Sequence, residues 1–306
     1  CLSSLWMTDE KTRQYFAIHG RPEGYREIRP AQVALYDRLI ELDLSTVEPM
    51  IALPFHPSNA YPLAEVIRNP HDAMAEIENN AKQVFENNKN IHCDMQSKVK
   101  NGKIIADQGV VAGCAAGSFE NIYLMSRMAA LLDRGLGTFG LNVYPASQPI
   151  LFELNRVGAL NTLMNYGVRM KSAFCGPCFG AGDTPANNDF SLRHTTRNFP
   201  NREGSNPMAG QIASVALMDA RSITATAFNG GALTSAADCW EEIKVPEYRF
   251  NREIYSHVVY NGFSHPHPEE EIITGPDIKD WPEMPELTEH LLLKVASVIR
   301  DEVTTT

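Results

Sequence analysis

Cysteine is scarce in this chain, six in 306 residues, and it lacks the dense, even framework that staples small secreted domains. A disulfide scaffold is excluded, and thiols used this sparingly point to a reducing compartment, so a cytoplasmic location is expected. No run of about eighteen apolar residues occurs, so no segment is long enough to cross a membrane as a helix. Positive charge is also short: 27 Lys and Arg stand against 37 Asp and Glu, a formal net charge of −10. Phosphate backbones need a basic face, so the charge argues against a nucleic-acid partner. The opening residues CLSSLWMTDEKTR lack the basic-then-apolar order of a secretion signal. A zinc ribbon needs a second CxxC or CxxH pair, and the sequence has none.

What remains is a globular composition, 43% hydrophobic and 21% charged, long enough for one large or two modest domains. Its most informative residues are Cys114 in VVAGCAAGSFEN and the pair Cys175 and Cys178 in SAFCGPCFGAGD. A lone thiol followed by a CxxC pair, each in a Gly/Ala-rich turn, has the form of a three-cysteine iron–sulfur site. Full ligation of a cluster takes four cysteines; three leave one iron open to substrate, as in catalytic metal sites. CGPC is also the dithiol sequence of thioredoxin-like oxidoreductases, whose first Cys sits at a helix N-terminus. Here FGAGDTP follows Cys178, and its glycines and proline oppose a helix, so that alternative loses weight. Cys1, Cys93 and Cys239 are isolated and read as ordinary thiols, with His92 beside Cys93 incidental. His265 and His267 sit among Pro and Glu and read as solvent-facing rather than metal-binding.

Helical spacing is expected over KTRQYFAIHG, RPAQVALYDRLIEL and AEVIRNPHDAMAEIENNAKQVFENNKN, the last with a proline break. MIALPFHPSNAYP reads as an extended connection. Ile104 to Cys114 reads as a strand, SFENIYLMSRMAALLDRG as a helix closed by Gly135, and FGLNVYPAS as a strand. QPILFELNRVGALNTLMNYGV is expected as one helix, VRMKSAFCGPC as strand and loop, FSLRHTTRN as a strand, and GQIASVALMDARS as a helix. Strands and helices alternating, with chemistry at the strand ends, is the order of a parallel sheet covered by helices. From Glu241 onward the proline-rich texture reads as an irregular surface connector. The chain begins at Cys and stops just after LLLKVASVI, a strand-like run. A fragment of a longer protein is therefore expected, with a processed subunit as the competing explanation.

Between Ser191 and Arg202 the sequence SLRHTTRNFPNR holds three arginines, one histidine and no acid. An arginine fork matches a carboxylate or phosphate; the plainer reading is that these arginines pair with surface acids, which is worth little. Their nearness in sequence to the CxxC pair favours an anion site beside it.

With these segments in order, the chain resembles the aconitase family of iron–sulfur hydro-lyases, which includes isopropylmalate dehydratase and homoaconitase. GCAAGSFEN at 113–121 corresponds to the family's SCTN-type turn, FCGPCFG at 174–180 to its ACGPCIG-type segment, and TRNFPNR at 196–202 to its NRNF–GR segment. PFHPSNAYPLAEV at 54–66 and GRPEGY near 20–25 also resemble family stretches, so the similarity covers most of residues 5–230.

The resemblance implies a three-layer α/β/α fold with a mostly parallel sheet. Residues 1–60 would end one α/β domain, 61–240 would form the cluster-ligating domain, and 241–306 would connect to a C-terminal swivel domain lying outside this sequence. It implies a [4Fe–4S] cluster on Cys114, Cys175 and Cys178, whose fourth iron is a Lewis acid for a hydroxy-polycarboxylate substrate. It also implies that Arg197 and Arg202 bind carboxylates. The family's catalytic base is a serine on the swivel domain, and much of its acid-side machinery lies in its N-terminal region. No catalytic group is therefore expected within these residues, and the chain by itself is expected to be inactive. An RNA-binding relative is the non-enzymatic alternative, which the acidic charge opposes. The sequence departs from the family at Ala115-Ala116, where the family has Thr-Asn, and at Thr196, where it has Asn. Both are polar positions near cluster and substrate, so the particular hydroxy acid is left open.

Overall fold

A computed structural model of the chain describes residues 4–239, 243–259, 262, 265–271, 273 and 275. The chain forms two compact units, residues 1–259 and 260–306.

In the first unit, α1 (Glu10–Ile18) starts at Asp9, whose carboxylate accepts from the Thr12 amide. β1 (Met50–Ala52) and β2 (Ala60–Pro62) form an antiparallel hairpin with Ile51 opposite Tyr61. Next come α2 (Leu63–Arg68) and α3 (Pro70–Val84), divided at Asn69, and the small pair β3 (Val99–Lys100) and β4 (Lys103–Ile104). The chemistry-bearing stretch runs β5 (Gln108–Ala112), α4 (Gly113–Ala116), α5 (Phe119–Leu132), β6 (Gly140–Tyr144), α6 (Gln148–Arg156), α7 (Ala159–Asn165) and β7 (Arg169–Met170). It ends with β8 (Phe190–His194), β9 (Ser214–Met218), α8 (Ala220–Phe228) and the single turn α9 (Glu253–Ser256).

The seven-stranded sheet has the order β2-β1-β9-β8-β5-β6-β7. From β9 to β7 the pairings are parallel, and the β1–β2 hairpin joins antiparallel through Ile51 opposite Met218. The α/β class and mostly parallel sheet are as the sequence implies. From β5 the chain winds outward through β6 to β7, then returns to the other side of β5 as β8. β5 and β8 thus flank the switch point, where α/β sheets bind ligands beyond the carboxyl ends of their strands.

The two faces differ. Val111, Leu141, Val143, Phe190, Leu192 and Ala216 join the main apolar core with residues of α5, α7 and α8. On the opposite face Asn142, Val110 and Arg193 lie side by side across β6, β5 and β8. That face is polar enough to need partners, and the loops between β7 and β9 supply them.

Five expected elements differ. Within GQIASVALMDARS, SVALM is the strand β9 rather than part of a helix: a strand buried on both faces has no polar alternation to announce it. RPAQVALYDRLIEL forms no helix; Val33, Leu35, Leu39 and Ile40 are exposed, and an amphipathic segment without a surface to pack on gains little from helix formation. MIALPFHPSNAYP supplies the β1–β2 hairpin rather than a plain connection. The single helix expected over 148–168 is two, broken at Gly158 with φ 79°, and α5 closes at Asp133, φ 46°, before Gly135. The strand expected in LLLKVASVI and the thiol of Cys1 lie outside the described residues.

Candidate functional site

Cys114 follows β5 directly. Its one-turn helix α4 is tied down at both ends: the Gly117 amide donates to Gly113 O at 2.7 Å, and the Ala146 amide beyond β6 donates to Gly117 O at 2.8 Å. Ser118 then caps α5 by accepting from the Asn121 amide. Cys175 and Cys178 lie on the loop after β7, in a single tight turn over Gly176–Cys178. The Cys178 amide donates to Cys175 O at 3.1 Å and the Ala181 amide to Gly176 O at 3.0 Å. Only glycine fits at 176, because a Cβ there would lie 2.1 Å from both Ala181 O and the Phe174 ring.

The three thiols converge. A methyl group built on Gly113 would lie 3.8 Å from Cys178 Sγ and 3.9 Å from Cys175 Sγ. Cys178 is buried, while Cys114 and Cys175 are exposed. Burial first, then the charge of Cys175 and a hydrogen bond with it, push the Cys178 thiol up; the Thr196 amide, donating to its sulfur, opposes this, and Cys114 adds to the rise. Neighbouring thiols that oppose the ionisation of Cys178 make a site that a bound cation would relieve, so the donor set fits a thiolate-ligated metal group. Among the described residues no three His, Cys, Asp or Glu side chains surround one metal-ion position. A dithiol oxidoreductase is disfavoured, because CGPC opens no α-helix here.

The arginine loop, residues 195–206, leaves the end of β8. Asn198 anchors it: buried, its Nδ2 donates to Leu53 O at 2.9 Å and to Ala52 O and Val215 O at 3.3 Å. Arg197 is exposed and Arg202 half-buried. Among the described residues neither is in an ion pair. Both, with Arg193, Pro177 of the cysteine loop and Glu203, line one cavity of about 10 Å³. The two loops also meet backbone to backbone. A Cβ on Gly180 would lie 2.8 Å from Gly204 Cα, and one on Gly204 2.8 Å from Gly180 O. The structure thus brings Cys114, Cys175, Cys178, Arg197 and Arg202 to the carboxyl ends of β5 and β8. His267, in the second unit, has its Nδ1 3.1 Å from Glu269 Oε1.

The sequence reading passed over the polar row beneath the cysteine loop. Asn142 Nδ2 donates to Asp183 Oδ1 at 2.9 Å, and Arg193, 1% exposed, donates to Pro177 O and Asp183 O. Burial, then neighbouring Asp183, pushes the Tyr144 phenol up. The signal was present: Asn142 and Arg193 each interrupt a hydrophobic strand on the face away from the helices.

Comparison with known proteins bears on the same stretch of chain. The model of the Aconitase family (aconitate hydratase) matches residues 1–225. The mitochondrial aconitate hydratase of Aspergillus fumigatus is 30% identical over 224 residues, covering 70% of this chain and 24% of that protein. The 3-isopropylmalate dehydratase large subunit 1 of Thermotoga maritima is 24% identical over 223 residues, 72% of this chain and 45% of the relative. That of Methanopyrus kandleri is 27% identical over 219 residues, 70% and 43%. The chain spans less than half the length of these relatives. With the family match running through both cysteine turns and the arginine loop that the fold gathers at its switch point, this chain belongs to the aconitase family.

Proposed function

We propose that this chain is part of a hydro-lyase that adds and removes water on a hydroxy-polycarboxylic acid, with Cys114, Cys175 and Cys178 holding a [4Fe–4S] cluster. The observation that carries the reading is the convergence of three thiols beside two arginines without ion-pair partners. When bound, the cluster supplies a Lewis-acidic iron free of protein thiolate, at which a substrate hydroxyl leaves as water.

The chain's own residues do the rest of the work assigned here. Arg197 and Arg202 bind substrate carboxylates, each charge-assisted bond contributing about 1.5–3 kcal/mol. The Thr196 amide, donating to Cys178 Sγ, links the arginine loop to the cysteine turn. Ala115 and Ala116 flank the first cysteine without hydrogen-bonding side chains, so substrate polar groups on that side must be met from elsewhere. The proton on carbon needs a base, which this reading assigns to a swivel domain reached through residues 241–306. Residues 61–240 are the cluster-ligating domain in this scheme, residues 1–60 the end of another, and the location is cytoplasmic.

Anaerobic reconstitution of the protein with iron and sulfide tests the reading. About four irons per chain are expected, one of them lost on mild oxidation. Cys175→Ser and Cys178→Ser should each lose the cluster's visible absorption. Full retention of that absorption in either variant overturns the assignment.

A further inference from the structure

The geometry points to Arg193 as a positioning residue, a buried guanidinium that fixes the cysteine loop against the end of β8 and in register with the arginine loop. Among the described residues it is the largest of the fully buried side chains, on the sheet face turned away from the helices. Its Nη1 donates to Pro177 O at 2.8 Å, its Nη2 to Asp183 O at 2.7 Å and its Nε to Ser191 Oγ at 3.3 Å. The first two carbonyls bracket the segment from the second thiol of the CxxC pair to the end of its loop. Asp183 sits at φ 52°, a left-handed conformation that costs energy without a compensating contact, and its carbonyl is one of the two that Arg193 holds.

A buried cation is an expensive way to fill this position. Val110 beside it is apolar, and replacing buried charge by a hydrophobic residue is often neutral or stabilising. Among the described residues Arg193 is in no ion pair. Burial pulls its pKa down, and Glu203 from the arginine loop and Asp183 from the cysteine loop push it back up. The group therefore bonds directly to one loop while its charge is balanced across the small cavity by the other. What a rigid planar fork provides, and an apolar residue or a lysine does not, is a fixed separation between two carbonyls.

The test has two readouts. In the metal-free chain, Arg193→Lys keeps the charge but loses the fork, so amide exchange at Cys178, Phe179 and Ala181 should rise about tenfold or more. Exchange in β5 and α5 should stay at the wild-type rate. After reconstitution, the same variant should hold fewer irons per chain than wild type, an expectation resting on the cluster reading above. Arg193→Met should match or exceed these effects; if it does not fold, the Lys variant carries the test. Unchanged loop exchange in Arg193→Lys, or a uniform rise throughout β5 and α5, overturns the proposal. If wild-type protein takes up no iron, the cluster reading fails, and the exchange experiment still decides the role of Arg193.

Discussion

Replacing Gly176 by alanine puts the packing of the CGPC turn to a direct test. The backbone at 176 is not in the left-handed region, so alanine meets no conformational penalty and the effect is steric. The new Cβ would fall 2.1 Å from Ala181 O and 2.1 Å from the Phe174 ring, where real contacts are about 3.4 Å or longer. Phe174 is half exposed and can swing away; the Ala181 carbonyl is backbone, in a turn closed by the Ala181 amide bond to Gly176 O. Relief requires the turn to open by about an ångström. Losing that hydrogen bond costs about 1 kcal/mol, and residual overpacking about 1–3 kcal/mol. A total of about 2–4 kcal/mol corresponds to a fall in Tm of about 4–16 °C for a domain of this size. The assay is thermal unfolding by circular dichroism, with Gly135→Ala as control, since nothing lies within 4 Å of a Cβ there and its φ is not positive. A Gly176→Ala variant melting within a degree of wild type would refute the steric argument and the turn geometry behind it.

Other perturbations have equally definite outcomes. Arg197→Lys in the active protein should lower kcat/KM about 10–100-fold through loss of a bidentate charged contact, with Tm unchanged because the side chain is exposed; steady-state kinetics beside a melting curve checks it. Burial pushes the Cys93 thiol from 9.0 to about 11, so the unfolded chain ionises first and stability should fall as pH rises from about 9 to about 11. Urea unfolding at about pH 8 and about pH 10.5 should show a smaller loss in Cys93→Ala than in wild type. Asp219 caps α8 by accepting from the Arg221 and Ser222 amides, so Asp219→Ala should cost about 1 kcal/mol in the same assay.

The sequence was legible where local pattern and chemistry coincide. β5, β6 and β8 announce themselves as short apolar runs ending in glycine or polar turns, and the thiols and arginines that follow them carry the chemistry. It was misleading where burial erases pattern. Ile212 to Met218 has no polar alternation because both faces of β9 are covered, so the run passes equally for a helix. RPAQVALYDRLIEL fails in the opposite sense, its helical spacing meeting no packing surface among the described residues. Arg193 was read as one of three similar arginines because spacing in sequence does not tell which side chain enters the sheet. Its alternation with Leu192 and His194 on β8 does.

The two rims of the sheet have a consequence of their own. At one end β2 is three residues long and ends in Pro62, which has no amide to offer; at the other, β7 is only two residues, opening on Arg169. Each rim thus offers few free amides and carbonyls, which blunts edge-to-edge pairing at this sheet despite the apolar strands at its centre, without a helix or loop having to cover the edge.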